Sequence, residues 1–152
     1  MGLKKENGPF NIFAETETTI EFYDLDPMQI VWHGNYINFF ELGRHSLLEK
    51  IGYGYNEMKD SGYAFPVVDI SVKYLKSLKY KDRIQIKAIL MEYENCLRIK
   101  YEIYNSENGE TITRGLSTQM AYNIKNNESC FNCPEVLIKK VENLINKQEK
   151  QP

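Results

Sequence analysis

The chain is short of cysteine, of charge imbalance and of long apolar runs, and each shortage removes a class of protein. Its 152 residues hold three cysteines, Cys96, Cys130 and Cys133. An odd number with no secretory leader ahead of it argues for reduced thiols and against a disulfide framework. The lone pair "CFNC" offers two of the four ligands that a structural zinc takes, and a redox pair usually opens a helix after a strand, so it reads as two thiols in a loop before the last helix. Nineteen basic residues face twenty-one acidic ones, and no basic tract interrupts the chain. Nucleic acid is therefore not an expected partner. The start "MGLKKENGPF" has basic residues but no apolar segment after them, and no run of about 18 apolar residues occurs anywhere. Glu6 stands where a myristoylation signal has Ser or Thr. No membrane insertion is expected, and the expected location is the cytoplasm.

What is present is ordinary for a globular domain: 42% apolar and 26% charged residues, in a length that buries a core without staples. One domain over residues 1–152 is expected, with its core at about 14–125 and a C-terminal helix at about 134–147. The run "TETTIEFYD" alternates Ile20 and Phe22 against Thr19 and Glu21 and predicts a first strand, half buried, that the turn residues Asp24 to Pro27 end. From Tyr36 the apolar positions Tyr36, Phe39, Phe40, Leu47, Leu48 and Ile51 recur at helical spacing, and Gly52 and Gly54 stop the helix.

Next come two runs with one apolar face each, Val68, Ile70, Val72 and Tyr74 in the first and Ile84, Ile86, Ala88 and Leu90 in the second. "CLRIKYEIYN" alternates in the same way, and "SENG" turns it into "ETITRGLSTQMAYNI", so the sheet reads as a meander. Pro134 opens a last amphipathic helix carrying Val136, Leu137, Val141, Leu144 and Ile145, with a charged tail from Lys147. A striped helix and a one-faced antiparallel sheet bury each other best when the sheet wraps the helix. The expected class is thus α+β, an antiparallel five-stranded sheet wrapped around one long helix.

One stretch asks for a chemical reason. In "FYDLDPMQIVWHGNYINFFELGR", residues 22–44, polar groups sit between two apolar elements. This stretch closely resembles the N-terminal motif of hotdog-fold acyl-CoA thioesterases of the 4-hydroxybenzoyl-CoA thioesterase type, where a strand ends in Asp-x-Asp, an apolar step follows, and Asn-Tyr opens the long helix. The resemblance covers roughly residues 16–124. It implies the hotdog fold and hydrolysis of acyl-CoA, and it puts the catalytic carboxylate on Asp26. It places His33, Gly34 and Asn35 at the thioester carbonyl, where His33 is a second catalytic candidate, and it matches Glu41 and Arg44 to acidic and basic positions of the helix. Tyr36, Glu41, Ala64 and Phe65 complete the substrate-binding set with Gly34 and Asn35. It also implies a homo-oligomer, a dimer whose subunits share the pocket or a tetramer of two such dimers. Where some members carry nucleotide-gripping arginines, this chain reads "YENCLR", with Glu94 and Asn95. Coenzyme A contacts fall instead on the cluster Lys76, Lys79 and Lys81, which also suits an acidic acyl carrier protein or a plain solvated loop.

The residues support this chemistry directly. A thiolate whose conjugate acid has a pKa of about 8.5 leaves without a strong acid, so one carboxylate can be enough. Asp26 could attack the carbonyl to give an anhydride or activate a water, and the two routes stay open. N–H groups at the helix start and the helix dipole can hold the developing oxyanion. The plainer readings are that Asp24 and Asp26 cap a turn and that His33 and His45 are structural. Capping is favoured for Asp24, whereas the motif favours catalysis for Asp26. No metal or cofactor is expected, because the aspartates lack the glycine and glutamate of a calcium loop. A hotdog hydroxyacyl-thioester dehydratase, an acyl-carrier-protein thioesterase and a noncatalytic acyl-thioester binding protein are the alternatives.

Overall fold

A computed structural model describes residues 6–150. The elements follow in the order β1 (Phe13–Thr19), a 3-10 turn (Phe22–Asp24), α1 (Asn35–Ile51), α2 (Tyr55–Ser61), β2 (Tyr63–Ala64) and β3 (Val67–Tyr74). After these come β4 (Arg83–Glu92), β5 (Leu97–Asn105), β6 (Thr111–Gln119), β7 (Tyr122–Asn123), β8 (Glu128–Ser129) and α3 (Glu135–Lys150).

Helix α1 follows its apolar stripe: Tyr36, Phe39, Phe40, Gly43, Leu47, Leu48 and Ile51 are its buried residues. Gly52 ends it in the left-handed region at φ 87°. The stripe lies on β1, β4 and β5. A Cβ on Gly43 would come within 2.9 Å of Ile86 Cγ2, so the helix backbone makes its close approach to β4 there. Phe40 stacks on Tyr101 at 4.5 Å between ring centres, and Ile84, Ile86, Ala88, Leu90, Leu97, Ile99 and Ile103 complete the wall beneath it. Truncating Phe40 to alanine removes that stack at a cost of about 3–5 kcal/mol.

The main sheet has the order β1-β4-β5-β6-β3, antiparallel throughout. This is the five-stranded sheet around one long helix that defines the hotdog fold, with a correction to its wiring. Only β4, β5 and β6 form a meander. β3 crosses over to pair with β6 (Tyr74 opposite Thr113), and β1 inserts beside β4. Local alternation says which residues share a face but carries no information on strand order.

Three further expectations change. The first strand starts at Phe13 and stops at Thr19, and Phe22 lies on the 3-10 turn, 70% exposed. The one-faced reading of β3 fails, because it is an edge strand exposed along nearly its whole length. A short helix (α2) and a second, three-stranded sheet of order β2-β7-β8 were not expected at all. Their strands are two residues long, too short for any periodic signal.

Candidate functional site

The site begins with a hairpin. Leu25 and Val31 pair as an isolated antiparallel bridge. Between them, the Asp26 N–H donates to the Ile30 carbonyl at 2.8 Å and the Gln29 N–H donates to the Asp26 carbonyl at 2.9 Å. Asp, then Pro, at the first two positions is the preference of a type I turn. Gln29 supplies the left-handed residue that closes it, at φ 67°. The Asp26 carboxylate accepts the Met28 N–H through Oδ1 at 2.7 Å, and no side-chain or backbone donor among the described residues reaches Oδ2. One oxygen therefore holds the turn, and the other has no protein donor among the described residues. Asp24 caps: its carboxylate accepts the Glu21 N–H at 2.9 Å.

The hairpin is tied to the start of α1 through one carbonyl, that of Asp24. It accepts the Trp32 N–H at 3.0 Å and Asn35 Nδ2 at 2.8 Å. The Asn35 N–H turns back to the Trp32 carbonyl at 2.9 Å. Gly34 occupies the cap position, where no side chain makes a capping hydrogen bond. Among the described residues, no backbone carbonyl accepts from the N–H groups of His33, Gly34 or Tyr36. These are the orphan donors of a helix start, and they carry the positive end of its dipole. Glycine at 34 has a reason other than room for a ligand: an added Cβ would lie 2.4 Å from the Trp32 ring, which already fills that space.

One cavity borders this region, and a second lies further along α1. The first, about 300 Å³, is lined by Ile30, Val31, His33, Tyr36, Tyr74 and Lys76 among others. Tyr36 packs edge-on against Tyr74 at 5.1 Å. Burial, with Tyr74 adding to it, pushes the Tyr36 phenol up to about 12, so it is a neutral hydrogen-bonding group at all physiological pH. The Tyr74 hydroxyl donates to the His33 carbonyl at 2.7 Å. The second cavity, about 230 Å³, lies between α1 and α2, with Glu41, Arg44, Leu48, Met58, Phe65 and Gln119 on its wall. Glu41 and Arg44 form an ion pair there. A larger groove of about 610 Å³, between residues 7–11 and α3, has none of the candidate residues on its wall.

The expected site residues thus divide. His33 and Tyr36 share the first cavity with Lys76, and Gly34 and Asn35 form the helix opening beside it. Glu41 and Phe65 share the second cavity. Asp26 stands at the hairpin tip and lines neither, and Ala64, which pairs with Tyr122 in the small sheet next to Phe65, is on neither wall. Lys76 pairs with Glu110 at 2.8 Å, and the Lys81 ammonium lies 5.4 Å from the centre of the Tyr80 ring. His45, read as structural, is exposed and borders the second cavity. Sequence reasoning missed Tyr74 and Gln119 as cavity residues. Tyr74 stood out only as one more apolar position in a strand, and its partner lies 41 residues away. Among the described residues no group of three or more His, Cys, Asp or Glu is placed to hold a metal ion.

With this geometry established, comparison assigns the class. The family model of the thioesterase-like superfamily matches residues 20–141, most of the chain, and the chain belongs to that family. It is a thioester hydrolase with the hotdog fold. A relative in Bacillus subtilis (strain 168), provisionally named acyl-CoA thioesterase YneP, is 32% identical over 108 residues, 70% of this chain and 78% of that protein. A DHNA-CoA thioesterase from Staphylococcus aureus superimposes with a TM-score of 0.75 at 29% identity, over 92% of this chain and 97% of that one. A 4-hydroxybenzoyl CoA thioesterase variant complexed with 4-hydroxybenzoyl CoA superimposes with a TM-score of 0.75 at 17% identity, over 86% and 99%. At that identity the likeness concerns the fold alone.

Proposed function

We propose that the chain hydrolyses acyl-CoA thioesters to the free acid and coenzyme A, with Asp26 as the catalytic carboxylate. The observation that carries the reading is the bare helix opening, where His33, Gly34 and Tyr36 keep unpaired N–H groups beside a hairpin built to hold a carboxylate. In this reading those donors stabilise the oxyanion as the carbonyl is attacked. The Asp26 oxygen without a protein donor either attacks the carbonyl carbon or takes a proton from the attacking water. In the first route the tetrahedral intermediate expels the thiolate and leaves an acyl–Asp26 anhydride, which water hydrolyses to free the acid and the carboxylate. In the second the water oxygen bonds the acyl carbon as the thiolate leaves, and the proton on Asp26 passes to the thiolate or to solvent. His33 assists by polarising the carbonyl or holding the water.

The apolar wall of Leu48, Met58 and Phe65 suits the acyl end of the substrate, with Glu41 at its polar rim. Lys76 at the first cavity suits the phosphates of the carrier, helped by Lys79 and Lys81. The active unit is a dimer or a tetramer. Support comes from β3, an open edge that exposes Val67, Val68, Ile70 and Tyr74 by 37–55%. The thiols of Cys96, Cys130 and Cys133 are unpaired, which suits a cytoplasmic setting, and no helix among the described residues is long and apolar enough to cross a membrane.

The test is steady-state release of thiol from a panel of acyl-CoA thioesters of graded chain length with one aryl thioester. A kcat/KM above about 10⁴ M⁻¹s⁻¹ for at least one member fits a working enzyme. Hydrolysis only of acyl-carrier-protein thioesters moves the reading to the other carrier, and inertness toward both removes it.

A further inference from the structure

We infer that Tyr74 is a positioning residue for the helix opening, holding the His33–Gly34 peptide from the neighbouring edge strand. The inference rests on the thioesterase reading and adds to it a residue outside the motif. Four successive peptides lead into α1, and they are fixed by different means. The N–H of the Val31–Trp32 peptide is bound to the Asp24 carbonyl, and that of the Gly34–Asn35 peptide to the Trp32 carbonyl. The Trp32–His33 peptide is held through the same Trp32 carbonyl. The His33–Gly34 peptide alone has no backbone partner on either side among the described residues, and its carbonyl is held by the Tyr74 hydroxyl at 2.7 Å.

A trans peptide is planar, and its C=O and N–H point opposite ways. Holding the His33 oxygen toward β3 therefore aims the Gly34 N–H away from Tyr74, and it leaves that donor unpaired. A hydrogen bond to the carbonyl also polarises the peptide and makes its N–H a stronger donor. The anchor is itself braced. The Tyr74 ring packs edge-on against Tyr36. Its backbone pairs with Thr113, and the next two N–H groups both donate to the Ile112 carbonyl, at 3.0 and 3.1 Å. The edge strand and the oxyanion donors are thereby mechanically joined.

Tyr74→Phe keeps the ring and its packing and deletes only the donor. On the best acyl-CoA substrate, we expect kcat to fall about tenfold, less than the loss of a whole oxyanion donor, while KM stays within about twofold. The melting temperature and the mass by light scattering should match the wild type. A kcat above half of the wild-type value overturns the inference and leaves the thioesterase reading standing. A lower kcat with a matching rise in KM, or with dissociation of the assembly, also overturns it, since both point to binding or assembly. A wild-type protein that hydrolyses no thioester overturns both.

Discussion

Asn35 reaches back eleven residues, and its Nδ2 donates to the Asp24 carbonyl at 2.8 Å. That bond, with the Trp32 N–H on the same oxygen, welds the hairpin of Asp26 to the first residue of α1. The hairpin that carries the carboxylate and the helix start that carries the orphan N–H groups are thus linked through one carbonyl. Replacing Asn35 by alanine should cost about 1 kcal/mol of stability, the net worth of one hydrogen bond. It should also lower kcat by about tenfold, because misplacing reacting groups costs rate steeply. Urea unfolding and thiol release, measured side by side, check it; an unchanged kcat refutes the welded turn.

Substitution can separate the turn-holding role of Asp26 from the catalytic role proposed for it. Asparagine retains an Oδ1 that accepts the Met28 N–H, so Asp26→Asn should keep the wild-type melting temperature and lose activity by about 100-fold or more. Asp26→Ala should lose the same activity and about 1 kcal/mol of stability in addition. More than a tenth of the wild-type rate in either variant would sink the assignment. His33→Ala should fall less far than both, since the backbone donors remain.

Gly34 and Trp32 should be coupled. A Cβ at 34 falls 2.4 Å from the indole ring, so Gly34→Ala must displace that half-exposed ring, at about 1 kcal/mol, the low end for overpacking. Trp32→Leu makes room, and the double variant should recover much of the loss. A double-mutant cycle in urea showing additive effects would contradict the packing.

Stability should decline in alkali. Burial pushes the Tyr36 and Tyr101 phenols from 10 up to about 12, and the Cys133 thiol from 9 up to about 12. Above pH 9 the unfolded chain releases these protons first, so the folded state binds more of them. Stability is therefore full below pH 9 and falls as pH rises toward 12. Urea midpoints measured across this window should decrease, and Tyr101→Phe should flatten the part of the slope above pH 10. A midpoint independent of pH through the window would refute the burial of these groups.

The exposed edge should pair. Light scattering at micromolar concentration should give a mass two or four times the 17.8 kDa of one chain. A lysine at Ile70, on the exposed edge strand, should shift it to one chain and remove activity. A wild-type mass of one chain with full activity would refute both edge pairing and a shared site.

What the sequence determined by itself was local. The stripe of α1 from Tyr36 to Ile51, the alternation of β4 and β5, and the turn chemistry of Asp26-Pro27 are each encoded within a few residues. There, period and φ preference leave few alternatives. Asp24 as a cap was legible for the same reason. Tertiary structure decided what depends on neighbours distant in the chain. Alternation at Val68, Ile70 and Val72 identified a strand but not its cover, and β3 turned out to be an edge with its apolar residues exposed. The split of the candidate residues between two cavities, and the hold of Tyr74 on His33 across 41 residues, arise only when β3 crosses to the far side of β6. A side chain's type can be read from the chain, but whether it meets a carbonyl or water is settled by the packing of the whole sheet.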